Sequence, residues 1–275
     1  VPVQPTILIA SDLSARSDRA FDRSVQLATQ LNGALLLVHV LDKGHAEEAS
    51  YAATRANAVI AKLTAGLSIP VEAQLADGRA PEVIASIAGD RRCDLIVVGP
   101  ARHNGVGDFI LGTAVDYLVR RANEPVLIVK DRPQGPYQRI LVATDFSDCS
   151  LQALLAATRI FPDTRFDLVH IYDGGFPSRL DPAETLVFAR SEAERESARF
   201  LARPELTHAQ PFQVELIEGR AGEMLPMLIA ERNIDLLVLG SHGNGGFIHA
   251  LIGSRASELL EAAPCDVLMV RTAGK

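Results

Sequence analysis

One spacing, held through several separate segments, constrains this chain more than any single motif. DGRAPEVIASIA (Asp77–Ala88) is answered by EGRAGEMLPMLIA (Glu218–Ala230), CDLIVVG (Cys93–Gly99) by IDLLVLG (Ile234–Gly240), and PVLIVK (Pro125–Lys130) by DVLMVR (Asp266–Arg271). The separation is the same for Gly78/Gly219, Gly99/Gly240, Gly112/Gly253 and Val126/Val267. Upstream, TILIASDLSARSDRAF from Thr6 parallels RILVATDFSDCSLQAL from Arg139: a β-branched run, an Asp, a Ser, then a helix-like segment. ALLLVHV and FDLVHI follow, each with a His near its end, His39 and His170. Self-similarity of this kind marks a tandem duplication, so whatever one copy folds into the other repeats.

Within each copy short apolar runs alternate with segments of helical periodicity. Strands are predicted near 6–11, 34–40, 70–76, 94–99 and 125–130, and again near 139–145, 166–171, 211–217, 235–240 and 266–271. Runs that are apolar throughout suit strands covered on both faces. Intervening stretches such as SARSDRAFDRSVQLATQL carry apolar residues at helical spacing. Alternating βα units with right-handed crossovers give a doubly wound α/β fold. The expectation is two tandem domains, each a five-stranded parallel sheet flanked by helices. The first spans 1–130, a linker with two prolines and a glycine spans 131–138, and the second spans 139–275.

Composition narrows the function classes. With 48% hydrophobic and 22% charged residues the chain reads as an ordinary globular protein. A net charge of −7 argues against nucleic acid as a partner. The basic pairs Arg91-Arg92 and Arg120-Arg121 read as solvated helix ends, where cations are favoured. Cys93, Cys149 and Cys265 are far apart and, like the seven histidines, show no metal-ligand spacing. No charged-then-apolar leader and no apolar run near the ~18 residues of a membrane span occurs, so the expected setting is cytoplasmic, without a membrane partner.

The stretch GSHGNGGFIHALIGS, Gly240–Ser254, has the form G-x2-G-x9-G-[ST] at Gly240, Gly243, Gly253 and Ser254. With Asp145 after the first strand of the second copy and the DLLVLGSHG stretch, the chain resembles the universal stress protein family along its whole length, as a tandem pair. That resemblance implies a five-stranded α/β fold and, for members with this glycine pattern, binding of ATP with Mg. It implies a regulatory role in stress response; because no residue is an evident general base poised for an attacking water, ATP hydrolysis is expected to be slow at most. Many members dimerise by pairing their last strands. A tandem chain can satisfy that pairing internally, 126–130 against 267–271, and a homodimer of tandem chains is a further possibility.

In an open parallel sheet, ligands sit beyond the carboxyl ends of the strands where the strand order reverses. In the resembling family that point lies between the first and fourth strands, which would set Asp145 across from Gly240. Glycine at 240 and 243 lets backbone approach a ligand. Gly253 and Ser254 stand where a helix begins, whose unpaired N–H groups and dipole attract phosphate. By resemblance, Asp145 contacts the ribose or a phosphate-bound metal and Ile171 lies beside the adenine. Gly240, His242 and Gly243 line the ribose and phosphates, Ser254 holds a distal phosphate, and Arg255 is an added contact. Blander roles stand beside these: Ser254 as an N-cap, Asp12 and Asp145 as caps, the glycines as a tight ligand-free loop, His39 and His170 as hydrogen-bonded structural residues.

The first copy departs from the pattern. Its frame reads Gly99, Arg102, Gly112 and Thr113, with Pro100 after the first glycine. A side chain stands where backbone would approach phosphate, and Pro100 stiffens the loop and removes a donor. The expectation is weakened or lost nucleotide binding there. No GxxxxGK[ST] occurs, so this is not a P-loop ATPase. Three function classes stay open: a nucleotide-binding regulator, a weak ATPase or nucleotide-dependent transferase using Asp145 or His242 as base, and a nucleotide-free interaction module of the same fold.

Overall fold

The computed structural model describes residues 4–41, 46–99, 113–173, 182–207, 211–241 and 254–272. They form two compact units, one from the start of the chain to Pro136 together with the strand Asp266–Val270, the other from Tyr137 to Cys265.

The first unit runs β1 (Thr6–Ala10), α1 (Asp18–Gln30), β2 (Ala34–Leu41), α2 (Ala46–Thr64), β3 (Val71–Asp77), α3 (Ala80–Asp90), β4 (Leu95–Val98), α4 (Thr113–Arg121) and β5 (Val126–Ile128). Its strand order is β3-β2-β1-β4-β5, all parallel. The second unit holds β6 (Ile140–Ala143), α5 (Asp148–Ile160), β7 (Phe166–Tyr172), α6 (Pro182–Leu201), β8 (Val214–Glu218), α7 (Ala221–Arg232), β9 (Leu236–Gly240) and α8 (Ser254–Ala262). Its order is β8-β7-β6-β9, again parallel. The last strand, β10 (Asp266–Val270), runs antiparallel to β5 in the first unit, with Val267 opposite Ile128 and Met269 opposite Val126.

The apolar runs become strands because both faces are covered. Ile7, Leu8 and Ile9 are fully enclosed, as are Leu236, Leu237 and Val238. In each unit one helix pair closes one face: α3 packs on α4 and α7 on α8. The repeat is visible in the registration of the strands. Asp94, just before β4, accepts the Thr6 amide at 3.0 Å, and Asp235, just before β9, accepts the Arg139 amide at 3.0 Å. Each anchors the first strand of its unit against the fourth. One predicted strand starts late: β8 begins at Val214 rather than 211. Pro211 has no N–H to give a ladder, and the pairing with β7 begins at Val214.

Candidate functional site

In the second unit β6 and β9 are parallel neighbours, Ile140 opposite Leu236 and Val142 opposite Val238. From β6 the chain crosses to β7 on one side, while β9 lies on the other, so the strand order reverses between them. In open α/β sheets the ligand crevice lies at such a switch point, beyond the carboxyl ends of the strands. Asp145 follows the end of β6, Gly240 closes β9, and Ile171 sits half-buried near the end of β7, the next strand over. Ser254 and Arg255 open α8. His242, Gly243 and Gly253 lie outside the described residues, as do Arg102 and Gly112 of the first repeat.

A tight turn holds Asp145 in place. Its Oδ1 accepts the Ser147 amide at 3.1 Å, and Ser147 is the N-cap of α5, its hydroxyl accepting the Ser150 amide at 3.1 Å. Thr144 Oγ1 accepts the Phe146 amide at 3.0 Å and exchanges a hydrogen bond with Ser150 Oγ at 2.9 Å. Phe146 itself adopts φ of 63°. That left-handed conformation costs a non-glycine residue roughly 1–2 kcal/mol. Packing of the ring offsets it: Phe146 stacks on His170 with centroids 4.2 Å apart and lies near Phe200. His170 Nδ1 lies 2.7 Å from the Thr144 carbonyl oxygen. A carbonyl only accepts, so Nδ1 carries the proton and donates.

The first unit builds the same turn from its own residues. Leu13 has φ of 56°, Ser11 Oγ accepts the Leu13 amide at 3.0 Å, and the Ser11 and Ser17 hydroxyls are 2.8 Å apart. His39 Nδ1 donates to the Ser11 carbonyl at 2.8 Å. Both repeated histidines are therefore structural clasps between the second strand of a repeat and the turn after the first. His170→Ala is expected to cost about 1–3 kcal/mol in urea unfolding, the penalty for stranding a buried carbonyl and unstacking a ring. An unchanged midpoint would remove the clasp.

Asp12, the acid of that first turn, is held by several donors. Partial burial works to raise its pKa, yet the Ser14 amide, the Ser14 and Ser17 hydroxyls and the Arg16 charge together outweigh it and hold the carboxyl below its ordinary value. The Ser14 hydroxyl donates to Oδ1 at 2.7 Å and the Ser17 hydroxyl at 3.0 Å. A depressed folded pKa means that this stabilisation is complete above the unfolded aspartate pKa and is lost as pH falls through the folded one. Comparing wild type with Asp12→Asn in urea, the stability gap is expected to be constant at neutral pH and to close as acid protonates Asp12. A gap that widened in acid would contradict this assignment.

Gly240 has a role that its sequence context does not show. A Cβ there would lie 3.0 Å from the Cys149 carbonyl carbon and 3.1 Å from both Cys149 Sγ and the Ser150 amide nitrogen. The space a side chain would need is taken by the first turn of α5. The next residue, Ser241, is fully buried with its hydroxyl 4.0 Å from Cys149 Sγ. Thr144, Phe146, Cys149 and Ser150 thus fix the turn after β6 and its fit against the end of β9, though none belongs to the motif legible in sequence. The matching hydroxyls of Ser11 and Ser17 in the other repeat are the signal that marks this turn.

All three cysteines are buried, and none is in a disulfide. Burial, with the Glu124 carboxylate adding to it, pushes the Cys93 thiol up to about 11. Native protein near neutral pH is expected to show no rapidly alkylated Cys93, whereas denatured chain reacts at once. Fast native labelling at Cys93 would contradict its placement. Among the described residues no cluster of His, Cys, Asp or Glu is arranged to hold a metal ion, and no helix is long and apolar enough to cross a membrane.

Strand order, reversal point and acid-bearing turn define an open, doubly wound α/β protein, built twice. The model of the universal stress protein family matches the chain two times, over residues 5–130 and 136–271. The chain belongs to that family, as a tandem member. A universal stress protein of Mycolicibacterium smegmatis is 26% identical over 296 aligned residues, covering 96% of each chain. Universal stress protein A homolog 1 of Coxiella burnetii is 32% identical over 148 residues, covering 49% of this chain and 96% of its own. The crystal structure of a universal stress protein from Archaeoglobus fulgidus shares the fold, with a TM-score of 0.70 at 17% identity over 98% of each chain.

Proposed function

We propose that the second repeat binds an adenine nucleotide, ATP with Mg, in the crevice beyond β6 and β9. In this reading the chain is a cytoplasmic regulator of stress response that hydrolyses ATP slowly at most. The observation that carries the reading is the sequence frame Gly240, Gly243, Gly253, Ser254, whose first glycine closes β9 and whose serine opens α8, together with Asp145 after the neighbouring strand β6. In the bound state Asp145 contacts the ribose or the metal, Ile171 flanks the base, Gly240, His242 and Gly243 line ribose and phosphates, and Ser254 with Arg255 meets the distal phosphate. The amides in the first turn of α8 suit an anion. Mg supplies charge neutralisation of the phosphates, and the protein groups orient them. The first repeat, 1–130, joined through the linker 131–138 to the second, 139–275, has Arg102 in place of the second glycine and is the degenerate partner. The two repeats act as an intramolecular pair.

A second reading is favoured by two observations at the ends of β6 and β9. The missing side chain of Gly240 is already required by α5, and the Asp145 carboxylate already serves its own turn. Both are consistent with a nucleotide-free interaction module of the same fold. Isothermal titration of Mg-ATP into nucleotide-stripped full-length chain separates the two. The expected result is one site per chain, lost in Gly243→Arg and retained in Arg102→Gly. Two equivalent sites would overturn the degeneracy of the first repeat, and no binding of any adenine nucleotide would establish the second reading.

A further inference from the structure

The ladder between β5 and β10 is centred on Leu127 and Leu268, which face each other and are also equivalent positions of the two repeats. Such a ladder would read the same from both ends if the flanking side chains repeated too. They do not. At one end Asp266, fully buried, accepts the amides of Lys130 at 2.7 Å and Asp131 at 2.9 Å on Oδ1. Its Oδ2 lies 3.5 Å from Nε of Arg23, which is 5% exposed. Arg23 also donates to Gln26 Oε1 at 2.6 Å and to the Gly135 carbonyl at 2.8 Å, and Arg19 donates to the Lys130 carbonyl at 2.6 Å.

Neither charged partner has a counterpart in the other repeat. In the register that matches Val126 with Val267, the position equivalent to Asp266 is Pro125. The position equivalent to Arg23 is Ala156, because the buried pairs Ala20/Ala153, Phe21/Leu154, Ser24/Ala157 and Leu27/Ile160 align α1 with α5 in one constant register. Proline offers no carboxylate and alanine no cation. A buried ion pair adds little net stability over an apolar one, but stranding one member is costly. Its value is therefore discrimination between partners.

We propose that Arg23 and Asp266 form a pairing code that commits β10 to the unlike strand, β5, and rejects like-with-like pairing between chains. With β5 paired to β5 of a second copy, Pro125 stands in for Asp266. The amides of Lys130 and Asp131 then lose their acceptor, and the buried Arg23 loses its carboxylate partner. With β10 paired to β10, Asp266 is buried with Ala156 in place of the guanidinium.

The test uses full-length chain carrying Leu127→Cys, Leu268→Cys and Cys265→Ala, refolded, oxidised and digested, with the linked peptides identified by mass spectrometry. The parent is expected to give 127–268 links almost alone. Arg23→Met and Asp266→Asn, separately and together, are expected to raise 127–127 and 268–268 links at least tenfold, while links of the unlike pair fall. The double variant removes both members of the pair, so neither is left stranded and it discriminates a code from simple damage. Like-with-like links at the parental level in a double variant with native circular dichroism would overturn the proposal. So would abundant like-with-like links in the parent, or a double variant that fails to fold, which would make the pair merely structural.

Discussion

Gly240→Ala is expected to destabilise the chain by about 1–3 kcal/mol, the usual cost of overpacking a filled site, while Gly99→Ala changes stability by no more than about 0.5 kcal/mol in either direction. The two glycines are equivalent positions of the repeat, and both stand at the end of a fourth strand. Their surroundings differ. At Gly240 the added methyl meets backbone atoms of Cys149 and Ser150 at 3.0 and 3.1 Å. Backbone in the first turn of a capped helix gives way only by moving the helix, and only the Cys149 sulfur can rotate aside. At Gly99 the nearest atom, the Arg16 carbonyl oxygen, is 3.4 Å away, within reach of small adjustments. Neither backbone is left-handed, so conformational strain does not enter. Urea unfolding of the two variants checks the contrast, and equal losses would mean that α5 does not press on β9 as described.

This contrast also shows what the sequence carries and what it leaves out. The fold is legible because duplication turns one weak pattern into two that agree: IDLLVLG and CDLIVVG support each other as fourth strands, and the constant register between the copies sets the order of elements. Strand ends are less legible where a local rule intervenes, as Pro211 shows at β8. The site is legible as a frame of glycines, an acid and a hydroxyl. It is not legible as geometry, because the reasons lie in contacts between distant segments. Nothing near Gly240 in sequence announces that Cys149 occupies its side-chain space. Nothing in TDFSDC tells that Phe146 takes a left-handed conformation and stacks on His170. Asp266 reads as the start of an apolar strand, and only the fold brings Arg23 to it.

Asp145→Asn separates two roles that one carboxylate combines. The side-chain amide keeps an oxygen that can accept the Ser147 amide, now at 3.1 Å, so the turn and the N-cap beyond it persist. Stability is expected to change by no more than about 0.5 kcal/mol. Asp145→Ala removes that acceptor and is expected to cost about 1 kcal/mol, the net worth of one hydrogen bond. Binding should respond differently. If the carboxylate meets a ribose hydroxyl or the metal of Mg-ATP, loss of its charge removes a hydrogen bond to a charged group, worth about 1.5–3 kcal/mol. Titration of Asp145→Asn should then show at least tenfold weaker binding at nearly unchanged stability. Wild-type affinity in Asp145→Asn, with the stability loss confined to Asp145→Ala, would assign the acid to the turn alone. Its recurrence as Asp12 in the repeat with a degenerate glycine frame would then follow from folding, because both turns need an acceptor for the amide two residues on.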